Sequence, residues 1–129
     1  MTLLLDTHAL QWLTAEPDRL SEAAAAAIDD ADELAVAGIT WYELAWLAER
    51  GRIIVGVPVR TWLSQLSRSV RSVGVTPAIA ATAAELRPAF RGDPVDRLIF
   101  ATAIENGWPL LTKDERMHDY PQPRTVAIW

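Results

Sequence analysis

The buried stretches of this chain are short, unbroken apolar runs, and each is separated from the next by a segment with helical spacing. Leu3–Leu5, the run LAVAG at 34–38, VGVT at 73–76, PLLT at 109–112 and TVAIW at 125–129 carry no polar alternation. A strand covered on both faces reads this way, whereas a half-solvated antiparallel strand alternates. Between the runs lie helix signals. HALQWLTA breaks near Pro17, Ser21 and Glu22 open a helix through about Ala31, and Thr40 caps TWYELAWLAER up to Gly51. Pro58 precedes a helix from about Val59 to Arg71. Thr76-Pro77 opens one reaching about Arg87, and Asp93-Pro94 opens one ending at Gly107. Strands alternating with helices predict a three-layer α/β/α sandwich around a parallel sheet of four to five strands. With 129 residues, this is expected to be one domain spanning 1–129.

Carboxylates recur where these elements end. Asp6 follows the first run, Glu43 and Asp96 sit early in helices, and Asp114 follows the fourth run. Open parallel sheets bind ligands outside the carboxyl ends of their strands, so the four acids are placed to meet at one edge. Each also has a local role available. Asp6 suits an N-cap, Glu43 closes a capping box with Thr40, Asp96 stands three residues after the cap Asp93, and Asp114 suits a turn or cap. If the four do meet about 6 Å apart, each pair repels by roughly 3 kcal/mol at an effective dielectric near 20, and a cation or a proton is required. Hard oxygen ligands favour Mg²⁺ or Mn²⁺ over zinc. Such a cation polarises a phosphoryl oxygen and activates water, the chemistry of phosphodiester hydrolysis.

Other chemistries lack their signatures. There are no cysteines, hence no disulfides, thiolate sites or thiol nucleophiles, and a reducing, cytoplasmic setting is expected. His8 and His118 stand singly, without zinc-site spacing, and His8 is expected to pack or donate a hydrogen bond. No GxSxG, P-loop or GxGxxG motif occurs. No apolar run approaches the roughly 18 residues of a membrane span. Net charge is −5 with pI near 4.9, unlike a general nucleic-acid binder. The basic residues are eleven arginines and Lys113; Arg60, Arg68 and Arg71 are candidates for a shared helix face touching phosphates, and Arg97, beside Asp96, is a further candidate for such a contact, with a surface or salt-bridge role favoured.

The stretches LLLDTHALQW at 3–12, ITWYELAWLAERGRI at 39–53, GDPVDRLIFATA at 92–103 and LLTKDERM at 110–117 together resemble the PIN-domain ribonucleases, and within them the VapC-type toxins of bacterial toxin–antitoxin pairs. The resemblance implies a Mg²⁺-dependent (or Mn²⁺-dependent) endoribonuclease neutralised by a cognate antitoxin. It implies site acids at Asp6, Glu43, Asp96 and Asp114, with Asp6 and Asp96 as metal ligands. Thr112 matches a supporting hydroxyl, and Asp93 is kept as an N-cap. The alternatives are a Mg²⁺-dependent phosphatase or phosphoacceptor domain, which would want further acids beside the first or third strand, and a non-catalytic binding module whose acids are only caps. Helix 40–50 has Trp41, Leu44, Ala45 and Ala48 on one stripe, widened by Tyr42, Trp46 and Leu47. So broad an apolar surface is expected to meet a partner, either an antitoxin or a second copy in a homodimer.

Overall fold

The computed structural model describes residues 1–86, 90, 92–120 and 127–129. Its strands are β1 (Thr2–Leu5), β2 (Glu33–Ala37), β3 (Arg71–Val73), β4 (Leu110–Leu111) and β5 (Ala127–Ile128). All pair in parallel, in the order β3-β2-β1-β4-β5. The helices are α1 (Thr7–Ala15), α2 (Glu22–Asp30), α3 (Ile39–Glu49), α4 (Val59–Leu66), α5 (Pro77–Glu85), α6 (Pro94–Asn106) and α7 (Glu115–Asp119). None is long and apolar enough to cross a membrane.

The run Leu3–Leu5 becomes the central strand because both of its faces are covered. Leu3 and Leu5 pack on one side with Ala9, Leu10, Val36, Leu44 and Leu111. Leu4 points to the other, with Ala35, Ala37, Phe100, Ala103 and Leu110. All three leucines are fully buried, each contributing about 1.5–3 kcal/mol relative to exposure. The expected α/β/α layering follows.

Several boundaries differ from expectation. Helix α4 stops at Leu66, short of Arg71, because a run of turns takes over: the Ser67 and Ser69 hydroxyls bond the carbonyls of Ser64 and Leu66. The chain is then already extended at Arg71, so β3 covers 71–73 rather than 73–76. Arg60, Arg68 and Arg71 therefore share no helix face. Arg71 instead pairs with Glu33 at 3.2 Å and lies over the Trp108 ring. Helix α3 starts at Gly38, not on a Thr40 cap. Gly38 fits because its N–H bonds Val73 O at 2.7 Å, and a Cβ there would sit 3.3 Å from that same oxygen. Thr40 is buried one turn in, with its hydroxyl 3.2 Å from that of Thr7. The capping box with Glu43 does not form. Helix α7 lies where no helix is expected from sequence. The expected end of α5 at Arg87 and the start of the last strand, 125–126, fall outside the described residues.

The fold has one topological switch point. From β1 the chain moves outward to β2 and β3, then returns to β1's other side for β4. A crevice at the carboxyl edge between β1 and β4 is the place such sheets bind ligands.

Candidate active site

That crevice holds a cavity of about 420 Å³ whose lining includes Asp6, Glu43, Asp96 and Asp114, with Asp93 beside them. The four expected acids arrive from four different segments. Asp6 directly follows β1, Glu43 rides on α3 after β2, Asp96 is in the first turn of α6, and Asp114 caps α7 after β4.

Capping and convergence turn out to be compatible. Asp6 Oδ1 accepts the Ala9 N–H at 2.7 Å, Asp93 accepts that of Asp96 at 2.9 Å, and Asp114 accepts that of Arg116 at 2.9 Å. A cap uses one or two lone pairs of a carboxylate and leaves others available, and all three capping residues still line the cavity. Glu43 has no capping duty. Asp93 does more than the N-cap role expected of it, since it also borders the cavity.

Burial dominates the electrostatics of Asp6 and Asp96, and neighbouring charges add to or oppose it. Asp6 is only 8 % exposed, and burial pushes its carboxyl above the usual carboxylate range; hydrogen bonds from Thr112 and Ala9 and the nearby His8 oppose this, while Glu43 reinforces it. Asp96 is pushed up to about 6, first by burial, then by Asp93, with Arg116 opposing and Asp114 and Glu43 adding. Asp114 goes the other way, held down by the hydrogen-bonded Arg116 guanidinium. Thr112 is fully buried. Besides bonding Asp6, its hydroxyl accepts the Asp114 N–H at 3.0 Å, and its carbonyl accepts from His118 Nε2 at 2.7 Å. One threonine thus ties the β1 acid to the β4 acid.

Arg116 is the residue the sequence reading missed. Its Nε lies 3.0 and 3.2 Å from the two Asp114 oxygens, and its Nη2 reaches Asp114 Oδ2 at 2.5 Å and Asp96 Oδ2 at 3.0 Å. Flanking acids hold its own pKa above the ordinary arginine value. The signal in the sequence is an arginine two residues beyond Asp114, on a helix too short to show a period. Arg97 also departs from expectation. It is partly buried and pairs with no acid among the described residues; its guanidinium donates to the carbonyls of Ala83, Leu86 and Phe90. Gly92 is a second omission: a Cβ there would meet Asp96 Cβ at 2.9 Å and overlap the Phe90 ring.

Among the described residues, no three histidine or acidic groups stand as a ready-made ligand cluster, and two of the four acids turn toward Arg116. Mg²⁺ does not require such a cluster. It typically takes one or two carboxylates and keeps several waters. Asp6 and Asp96 offer hard oxygens at a cavity lined by three further carboxylates, so the donor set fits a hard divalent cation.

A groove of about 180 Å³ adjoins the cavity, lined by Tyr42, Glu43, Trp46, Asp93 and Val95. Tyr42 is 64 % exposed, and Trp46 is half-buried beneath the Arg50 guanidinium at 4.0 Å. Leu44 and Trp41, on the opposite side of α3, pack into the core. The stripe expected on this helix is therefore split between interior and surface.

The PIN domain family model matches residues 3–123. Ribonuclease VapC22 from Mycobacterium tuberculosis (strain ATCC 25618 / H37Rv) is 59% identical over 128 residues, covering 99% of this chain and 98% of that protein. Two solved structures share the fold at low identity. VapBC2 from Rickettsia felis, bound to a DNA fragment from its promoter, matches with TM-score 0.71 and 14% identity over 98% of this chain and 97% of that one. A toxin–antitoxin complex from Klebsiella pneumoniae matches with TM-score 0.68 and 22% identity over 96% and 99%. The family match spans nearly the whole chain and includes every element that delivers a site acid, and this protein belongs to the PIN domain family, within it to the VapC ribonucleases.

Proposed function

We propose that this protein is a Mg²⁺-dependent endoribonuclease that acts as the toxin of a toxin–antitoxin pair. The observation that carries the chemistry is the arrival of Asp6, Glu43, Asp96 and Asp114 from four segments at one cavity on the carboxyl edge of the sheet. The identity to ribonuclease VapC22 supports RNA as the substrate.

In this account Asp6 and Asp96 hold the cation, with Mn²⁺ as an acceptable substitute. When bound, it supplies Lewis-acid polarisation of a phosphoryl oxygen and eases deprotonation of water. The chain supplies the rest. Asp6 is fixed by the α1 backbone and by Thr112, so its free lone pairs are presented without reorganisation. Glu43, which caps nothing, orients the attacking water. Asp114 and Arg116 complete the far wall, the arginine tempering the charge of Asp96. Water is the nucleophile in this reading: among the described residues the cavity lining has no serine or cysteine, and its threonine, Thr7, has its hydroxyl against that of Thr40.

Solved structures that share the fold are described as VapBC or toxin–antitoxin complexes. By extension this chain is bound by a cognate antitoxin. Tyr42 and Trp46 beside the cavity suit that contact, and a homodimer is part of the same proposal. Incubating purified protein with total RNA in Mg²⁺, in Mn²⁺ and in EDTA tests the activity. Cleavage in either metal and none in EDTA is expected; no cleavage in any condition by folded protein would end the ribonuclease reading.

A further inference from the structure

Helix α1 carries two rings on one face, four residues apart. His8 stacks on Trp12 with ring centroids 5.7 Å apart and planes 20° from parallel. Trp129, directly after β5, packs edge-on against Trp12 at 5.6 Å and braces the indole. Two cations flank it: the Arg19 guanidinium at 4.8 Å and Lys113 Nζ at 5.9 Å from the ring centroid. His8 is exposed, while Trp12 is half-buried. His8, Trp12 and Lys113 all line the cavity that contains Asp6 and Asp96. None of them has a part in holding the cation or orienting water.

We infer that the His8–Trp12 stack is a nucleobase platform that seats a base of single-stranded RNA beside the cleaved phosphate, with Lys113 contacting the adjoining backbone. The inference rests on the ribonuclease reading above. It answers a difficulty that reading leaves. A protein of net charge −5, with five carboxylates lining its cavity, offers RNA a repulsive field. Stacking on an aromatic face does not depend on net charge, and every base has such a face. Histidine is among the side chains on which unstacked RNA bases rest. Here the imidazole is backed by an indole that is itself braced, so little ordering is required when a base arrives. An i,i+4 pair that only stabilised the helix surface would have no need of the cavity or of flanking cations.

The test separates binding from cleavage. Fluorescein-labelled oligoadenylate and the same oligomer built of abasic ribose are titrated into the protein in EDTA, with fluorescence anisotropy as the readout. Because His8 is exposed, His8→Ala should keep the fold. It is expected to weaken oligoadenylate binding roughly 5- to 150-fold, leave the abasic oligomer unchanged, and lose no more at high salt than at low. His8→Phe keeps a ring and should restore binding. Lys113→Ala should weaken both oligomers alike and reduce the salt dependence. Equal affinity of wild-type protein for the two oligomers, equal loss of both on His8→Ala, or failure of His8→Phe to rescue would each overturn the platform. Mg²⁺-dependent cleavage is assayed separately, so failure of the ribonuclease reading is seen independently of the stack.

Discussion

Arg116 Nη2 lies 3.0 Å from Asp96 Oδ2, joining helix α7 to the first turn of α6 in the lining of the acidic cavity. The same guanidinium holds Asp114 through both of its oxygens. A side-chain cation thus stands against two of the acids that the proposed mechanism assigns to the site. In the proposed mechanism the guanidinium and a divalent metal would compete for Asp96. Arg116→Ala is expected to tighten Mn²⁺ binding, measured by electron paramagnetic resonance, while lowering the thermal stability of metal-free protein by about 1 kcal/mol, a modest figure because these groups are partly exposed. Unchanged or weaker Mn²⁺ binding by the folded variant would contradict the competition.

The raised pKa of Asp96 makes a statement about pH. Its carboxyl titrates near 6 in the folded protein and near 3.8 when unfolded. Between those values the folded state binds more protons, so metal-free stability should fall as pH rises from about 4 through 6. Asp6, shifted the same way, adds to the slope. The total from Asp96 is at most about 2 kcal/mol once solvent screening is allowed for. Saturating Mg²⁺ favours the ionised carboxylates and should flatten or reverse the slope. Thermal unfolding across this range, in EDTA and in Mg²⁺, checks both signs; a metal-free stability that rises from pH 4 to 6 would contradict the raised values of these buried acids.

Gly92 passes so near Asp96 and Phe90 that a side chain must displace one of them. Phe90 is buried in a stack on Phe100, with Tyr120 edge-on to both rings. Gly92→Ala should therefore cost about 1–3 kcal/mol of stability, the usual range for overpacking, and lower RNA cleavage by moving Asp96. Native stability and full activity together would show that the segment yields without cost.

Trp46→Glu puts a charge on the aromatic surface beside the cavity. Since Trp46 is only half-buried, the fold and RNA cleavage should persist, while co-purification with the antitoxin should fail. An intact complex would move the interface elsewhere.

Much of this was legible in the sequence for a physical reason. Leu3–Leu5 has to be covered on both faces, and a parallel sheet with helices on either side does that. The Thr76-Pro77 and Asp93-Pro94 signals mark the starts of α5 and α6, where those residues form the caps. What local rules could not give was tertiary in origin. Thr40 reads as a cap, yet its hydroxyl faces Thr7 across the fold. Arg71 reads as a helix end, yet β2 recruits it into a strand. Arg116 and Gly92 gain their meaning from Asp96, which is 20 residues before one and four after the other and meets both only through the tertiary fold. The four acids were visible because Asp6 and Asp114 directly follow buried strands and Glu43 and Asp96 sit early in helices. Their approach to one another was an inference from sheet topology, and the cavity they line agrees with it.

The central claim is that these acids form a metal site rather than a set of caps, and Asp96→Asn tests it most directly. Asn keeps the shape and much of the hydrogen bonding of Asp96 and removes one charge from a crowded cluster, so metal-free protein should be at least as stable as wild type. Cleavage of total RNA in Mg²⁺ should be abolished. Asp6→Asn should behave in the same way, because asparagine also serves as an N-cap for α1. Thermal unfolding and RNA cleavage measured on the same preparation give the answer: a folded Asp96→Asn protein that cleaves RNA in Mg²⁺ at the wild-type rate would leave the proposed site without its central ligand.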